Sequence, residues 1–345
     1  MTRPKKKKKK SRFGLLLALL LGVLGGLGAD AWLQLNAPLQ LDKATTVELE
    51  TGQRLNSLSR QMDERGLFAS DRQRLYLVLY GRFHGEAALL KAGEYALEPG
   101  LSPLELLTVL TSGKTVLHEL RLVDGWRFAQ AWKLIQSDPN IAHTLVNADN
   151  AAIMQAIGKP GVDPEGRFFP DTYRFPKKTT DVSFLRTAYT AMDKVLTAEW
   201  AARAPNLLYA TPGQALIMAT LVEKESAVAS ERPVIAGVFL RRLQTGMRLQ
   251  TDPAVIYGLG DAYDGNIHTE DLRTDTPYNT YTRDGMPPTP ICLPGREAIH
   301  AALHPDEGTA LYFVAKGDGT HQFSSTLEEH NAAVMRYQIK PHLHP

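Results

Sequence analysis

The chain has 345 residues, 43% hydrophobic and 22% charged, an ordinary globular composition with room for two domains. Its net charge of +2 hides an asymmetry: Arg3, Lys5 to Lys10 and Arg12 carry +8 and leave −6 for the rest, which excludes a basic nucleic-acid-binding body. The single cysteine, Cys292, excludes an internal disulfide and any cysteine-based zinc site.

The basic residues form a tail over 1–12, directly ahead of an apolar run that starts at Phe13 and stays uncharged to Ala29. A helix rises about 1.5 Å per residue, so continuation to Leu35 covers roughly one bilayer core and predicts a transmembrane anchor over 13–35. Asp30 then falls near the far interface, and Trp32 at headgroup level. Cations flanking such a run stay on the cytoplasmic side, which places everything after about residue 36 outside the cytoplasm. Ala29-Asp30-Ala31 loosely fits a signal-peptide cleavage site. The long apolar run and the heavy basic block favour a retained anchor instead.

A stalk over 37–43 leads into a small module over 44–113. Thr45 to Leu49 alternates and is β-branched, predicting a strand. Leu55, Leu58 and Met62 have helical spacing and end at Gly66. Leu75 to Tyr80 reads as helix or strand, and Lys91 to Leu97 as a second strand. Ser102, Pro103 and Glu105 spell a capped helix start. This order resembles the LysM-like fold that binds peptidoglycan sugars; a plain spacer is the alternative. Ser112-Gly113-Lys114 marks a boundary, and 114–340 reads as a larger α+β domain. There, Leu117 to Val123 is strand-like and Gly125 to Gln136 helical. Gly158 to Lys178 reads as an ordered loop, and Phe184 to Pro294 as two helices with long loops. Leu311 to Ala315 and His321 to Ser324 form a hairpin ahead of a helix over Thr326 to Tyr337.

The best candidate for chemistry lies on a helix from Thr211 to about Val228. Thr211 caps it, Pro212 takes the first turn and Gln214 completes a capping box. At 100° per residue Met218, Leu221, Val222 and Glu225 share one face, while Glu223 points elsewhere. A carboxyl on an apolar stripe loses hydration, so its pKa rises towards neutrality, as a general acid at neutral pH requires. The bland alternative is a helix end reaching solvent, with Glu225 paired to Arg232 or Arg241. Glu223 and Lys224 read most simply as solvated residues. Around the acid, Gln250, Thr251, Asn279 and Tyr281 offer hydrogen bonds to N-acetyl and hydroxyl groups. Tyr257, Tyr278, Phe168 and Tyr173 offer flat faces for sugar rings. Asp252 is a second carboxylate, or simply a turn residue before Pro253.

The segments LVEKESAVASERPVIAGVFLRRLQTGMRLQTDPAVIYGLG (Leu221 to Gly260), EGRFFPDTYRF (Glu165 to Phe175), PYNTY (Pro277 to Tyr281), GMPPTPICLPG (Gly285 to Gly295) and LYFVAKGDGTHQFSSTLEEHN (Leu311 to Asn331) resemble the endolytic murein transglycosylase, or YceG-like, family. The resemblance implies a lyase of the inner membrane that cuts the β-1,4 bond between N-acetylmuramic acid and N-acetylglucosamine without water. It implies a 1,6-anhydro product end and termination of strand elongation. Its catalytic glutamate maps onto the EKES motif, and Glu225-Ser226 matches the Glu-Ser pair of other lytic transglycosylases. Glu165 opens a shared motif and could orient the site. Peptidoglycan synthases are the implied partners. One carboxylate suffices for this chemistry, whereas most hydrolytic glycosidases use two. An Asp252 facing Glu225 would instead suit a hydrolytic muramidase. A non-catalytic peptidoglycan-binding scaffold is the alternative from another class.

No metal or organic cofactor is called for. His300 and His304 have metal-ligand spacing but no glutamate between them, and read as surface or interface residues. His342 and His344 lie in a short tail. His321 and His330 flank the last hairpin and helix; His330, near Asn331, either helps close the groove or, more simply, packs.

Overall fold

The computed structural model describes residues 12–339, so the lysine run, His342 and His344 lie outside the described residues. The chain has mixed helix and strand content and divides into two compact units at His118/Glu119.

The first unit opens with α1 (Arg12–Asn36), which is long and apolar enough to cross a membrane. Leu15 to Leu27 leave their side chains exposed, whereas Leu35 is buried. Asp30 is not bare: Arg72 lies 3.1 Å away and the Tyr76 hydroxyl donates to it at 2.9 Å. The last turn of any helix leaves carbonyls without partners. Here the buried Gln73 amide donates to Gln34 O and Ala37 O.

Strands β1 (Thr45–Leu49) and β2 (Gly93–Leu97) pair antiparallel, with Thr45 opposite Leu97. Between them run α2 (Leu55–Glu64) and α3 (Asp71–Phe83); α4 (Pro103–Ser112) follows. The ambiguous Leu75 to Tyr80 segment is therefore helical, started by Ser70, whose hydroxyl accepts from Gln73 N. Both halves of the capping box at Ser102 and Glu105 form. Leu58, Leu77, Tyr95 and Leu107 close the core.

In the second unit β3 (Leu117–Arg121) pairs with β5 (Thr172–Pro176), so the expected Gly158 to Lys178 loop contains a strand. Helix α5 (Phe128–Ser137), the short strand β4 (Ile141–Ala142) and α6 (Asn150–Ala156) lie between them. β6 (Thr179–Thr180) pairs parallel with β4. Then come α7 (Asp181–Ala201), α8 (Pro212–Glu225), α9 (Arg232–Gln244), α10 (Asp252–Leu259), α11 (Thr269–Arg273) and α12 (Arg296–Leu303). The region from Phe184 to Pro294 thus holds more helix than its Gly- and Pro-rich sequence suggested. The antiparallel hairpin β7 (Tyr312–Ala315) and β8 (His321–Ser324) leads to α13 (Leu327–Val334), which widens into a π-turn at Met335–Ile339.

Helix α8 is the hub, packed against α7, α9, α10 and α12. Leu216, Met218, Ala219, Thr220, Leu221 and Val222 are all buried, so burial runs round the helix rather than along one stripe. The Thr211 hydroxyl accepts from Gln214 N as expected, but the Gln214 amide oxygen takes Ala210 N instead of closing a capping box on Thr211. The helix stops at Glu225, short of Val228, because Ser226 turns extended at the C-cap.

Candidate active site

The last residue of α8, Glu225, lines a cavity of about 320 Å³ together with Arg242, Gln250, Asp252, Tyr281 and His321. They arrive on five separate pieces of chain, only Gln250 and Asp252 being close in sequence, which is why no short motif contains the site. Arg242 comes from α9 and is held under the cavity by its bonds to Leu311 O and Leu249 O, both 2.7 Å. Gln250 and Thr251 come from the turn before α10. Gln250 sits at φ +49°, a left-handed conformation that a side chain of its type seldom adopts. That turn is laced to the 279–281 loop: Gln250 N donates to Thr280 O, and Thr251 N to the Thr280 hydroxyl.

Thr251 donates its hydroxyl to Glu225 Oε1 at 2.5 Å. Glu225 as a residue is only partly buried, since it meets the cavity, but protein crowds its carboxyl. Loss of hydration is the largest influence and, with the nearby Asp252 carboxylate, pushes its pKa up to about 7. The Thr251 hydrogen bond and the charges of His321 and Arg242 oppose that rise without cancelling it. Neither Arg232 nor Arg241 pairs with Glu225. Arg232 joins Glu223 and Glu297, and Arg241 donates to the Ala310 and Asp306 carbonyls.

Glu223 corrects the reading of a solvated residue. Its side chain is 5% exposed, accepts from Gly295 N at 2.9 Å and pairs with Arg232 at 3.1 Å. The exposed-face expectation failed because α8 is enclosed on nearly all sides. Gly295 lets both carboxyls approach closely: a Cβ there would stand 2.8 Å from Asp124 Oδ1 and 3.4 Å from Glu223 Oε2. Glu223 therefore serves a packed ion pair, directed away from the cavity that Glu225 lines.

Of the expected sugar contacts, Gln250 and Tyr281 line the cavity, with the Tyr281 hydroxyl donating to Asp252 Oδ1 at 2.5 Å. Asp252 is thus more than a turn residue: it shares the cavity with Glu225. Thr251 is 1% exposed and its hydroxyl is committed to Glu225. Asn279 is fully buried; its amide donates to the Asp271, Leu272 and Thr274 carbonyls and its oxygen accepts from Tyr281 N. Direct sugar binding by Thr251 and Asn279 gives way to support of the residues that face the cavity.

Glu165 sits apart, 5% exposed, at the edge of a separate cavity of about 290 Å³ shared with Arg127 and Tyr257. It accepts from Phe128 N at 2.9 Å and the Tyr257 hydroxyl at 3.2 Å, and burial pushes its pKa to about 7. Phe168 is a core residue stacked on Phe128 and offers no face to sugar; Tyr173 is half-buried, its hydroxyl bound to Phe169 O and its ring edge-on to Phe184. A larger hollow of about 670 Å³ beside Gln322, Phe323 and Glu329 contains no buried carboxyl, as Glu329 caps α13.

Sequence reasoning passed over Arg242 and Glu231, and noted only the place of His321 beside the last hairpin. His321 and Glu231 stand ninety residues apart yet touch at 2.7 Å, a pairing for which local spacing gives no signal. Among the described residues Glu199, His300 and His304 could gather round a metal ion. Glu199 already binds Arg296 and His300.

A carboxyl poised near neutrality on a polar cavity defines an acid–base site. The chain belongs to the YceG-like family, whose profile matches residues 47–336. It is 30% identical over 319 residues to the endolytic murein transglycosylase of Bacillus subtilis (strain 168), covering 87% of each chain. It is also 30% identical over 329 residues to the protein of that name from Streptococcus pneumoniae (strain D39), covering 86% of this chain and 58% of the relative. A crystal structure of a yceG-like protein from Listeria monocytogenes superposes with a TM-score of 0.53 at 27% identity, covering 85% of this chain and 99% of that one.

Proposed function

We propose that the chain is a peptidoglycan lytic transglycosylase, a lyase that cuts the bond from N-acetylmuramic acid to N-acetylglucosamine inside nascent glycan strands. The reading is carried by one observation: Glu225, desolvated to a pKa of about 7, faces a polar cavity. At neutral pH about half of such carboxyls hold a proton and half can accept one. Glu225 protonates the departing glycosidic oxygen. The resulting carboxylate then draws the proton from the muramic acid C6 hydroxyl, which closes on the anomeric carbon. Strand elongation ends at the anhydro terminus. Arg242, Gln250 and Tyr281 line the cavity and supply hydrogen bonds to the sugar.

The apolar α1 supports a single-pass inner-membrane anchor with the basic tail inside and the second unit in the periplasm. The β1–α2–α3–β2 order supports a LysM-like module over 44–113, ahead of a catalytic domain over 114–340. Peptidoglycan synthases at the membrane surface are the fitting partners.

A second reading, hydrolytic muramidase, is favoured by Asp252 lining the same cavity as Glu225. Mass spectrometry of products from purified glycan strands separates the two. Anhydro ends, lighter by one water, support the transglycosylase; reducing ends contradict it.

A further inference from the structure

A second cavity in the same unit, of about 350 Å³, is lined by residues that include Arg127, Lys224, Pro253, Ile256, Tyr257 and Tyr263. Its volume falls in the range of small-ligand pockets, about 300–1,000 Å³. It adjoins the Glu225 cavity at two places in the chain. Lys224 precedes Glu225 at the end of α8, and Pro253 follows Asp252 at the start of α10. Consecutive Cα atoms stand about 3.8 Å apart, so the two cavities are neighbours across single peptide links. At 100° per residue Pro253, Ile256 and Tyr257 share one face of α10, and Asp252 lies off it.

The charge of this cavity is one-sided. Two cations line it, and no carboxyl does among the described residues. Lys224 is exposed and makes no ion pair among those residues; its ammonium reaches Gly125 O at 3.4 Å. Arg127 is held in place. One of its five donors goes to Ile256 O at 2.9 Å, and its guanidinium lies 4.9 Å over the Tyr257 ring. Neither contact cancels its charge. The cavity of Glu165 shares Arg127 and Tyr257 but also carries Asp163, so it suits an anion less well.

We propose that this cavity receives a carboxylate of the peptide stem carried by muramic acid, with Lys224 and Arg127 as its cations and Pro253 and Ile256 against its methylenes. This rests on the transglycosylase reading. The stem hangs from a lactyl ether on C3 of the sugar and bears free carboxylates. An extended peptide spans at most about 3.3–3.6 Å per residue, so a stem of a few residues is long enough to pass from one cavity into its neighbour. Charge-assisted hydrogen bonds from a lysine and an arginine are the strong kind for such a group. The contact also sets register. Every second bond along the strand has the same β-1,4 linkage, but only muramic acid carries a stem. A stem held beside Lys224 places muramic acid, not glucosamine, on the side of the cut where its anomeric carbon meets Glu225.

The test uses the full-length protein in detergent and three sets of glycan strands: stem-bearing, stripped of stems by an amidase, and stem-bearing with the carboxyls converted to amides. The reading is the ratio of kcat/KM for stem-bearing over stripped strands. Wild type is expected to prefer stem-bearing strands about tenfold or more, and to treat amidated strands as stripped ones. K224E and R127Q are each expected to reduce that preference to within about threefold, chiefly through KM. A merely structural role lowers both rates and keeps the ratio. A wild-type ratio within about twofold of one overturns the proposal, as do amidated strands cleaved as well as the unmodified ones, or a ratio that both variants retain. Calorimetric titration of the Glu225→Gln protein with a stem-bearing and a stem-free disaccharide reads the same preference without turnover. Reducing ends, or no fragments at all, from the wild-type protein remove the underlying reading, and the titration still judges the cavity: equal affinity for the two disaccharides overturns the proposal by itself.

Discussion

Thr251 Oγ1 stands 2.5 Å from Glu225 Oε1, tying the N-cap of α10 to the last residue of α8. The bond restrains a carboxyl that would otherwise swing at a frayed helix end, and it partly offsets the effect of burial on that carboxyl. Thr251→Val keeps the shape and removes the donor. Its loss raises the Glu225 pKa further, so the alkaline limb of the pH–rate profile moves up. Turnover falls about tenfold because the acid is less well aimed. A profile identical to wild type would show that the hydroxyl does neither.

Activity and stability depend on the ionisation of Glu225 in linked ways. The carboxyl rises from 4.5 to about 7 on folding. Below about pH 4.5 it is protonated in both states and imposes no ionisation penalty. As pH rises towards 7 the unfolded chain ionises first and stability falls; above 7 the deficit is constant. Glu225→Gln removes it. Thermal unfolding should find this variant more stable than wild type at pH 8, by on the order of 1–3 kcal/mol, and level with it near pH 4. Equal stability at both pH values would mean that the carboxyl is well hydrated.

Arg232 neutralises Glu223 in a nearly closed site, with side chains 12% and 5% exposed. Arg232→Ala strands that carboxylate and should cost about 3 kcal/mol in chemical denaturation. Adding Glu223→Gln to the same chain should recover part of the loss. No recovery would mean that packing, not charge, sets the cost.

The amide of Asn279 closes the 271–281 loop through four hydrogen bonds to backbone groups. Asn279→Ala leaves buried carbonyls without partners and should destabilise the protein by about 2–4 kcal/mol, with KM rising through Tyr281. A variant of native stability with raised KM alone would restore Asn279 as a direct sugar contact.

What was legible in the sequence followed local rules. Ser102 and Glu105 capped α4 as their spacing predicted, and Thr211 started α8. The hairpin at residues 312–324 followed from alternation and turn residues. Glu225 was chosen over Glu223 by the resemblance of Glu225-Ser226 to a Glu-Ser pair and by angular position, although α8 is buried all round rather than along the one stripe that argument assumed. Misreadings arose where distant chain decides the environment. Glu223 looked solvated because periodicity assumes one wet face, whereas α8 is enclosed by four helices. Asn279 looked like a sugar ligand because a polar loop residue gives no hint that the loop turns its amide inward. Glu231 and His321 carry no mark of their pairing until β8 is laid beside the end of α8.

The central claim is tested most directly by turnover of glycan strands by two matched variants. Glu225→Gln should abolish release of anhydro-ended fragments, while Glu223→Gln, directed into the Arg232 pair, should stay within about tenfold of wild type. An active Glu225→Gln protein beside an inactive, folded Glu223→Gln protein would contradict the account.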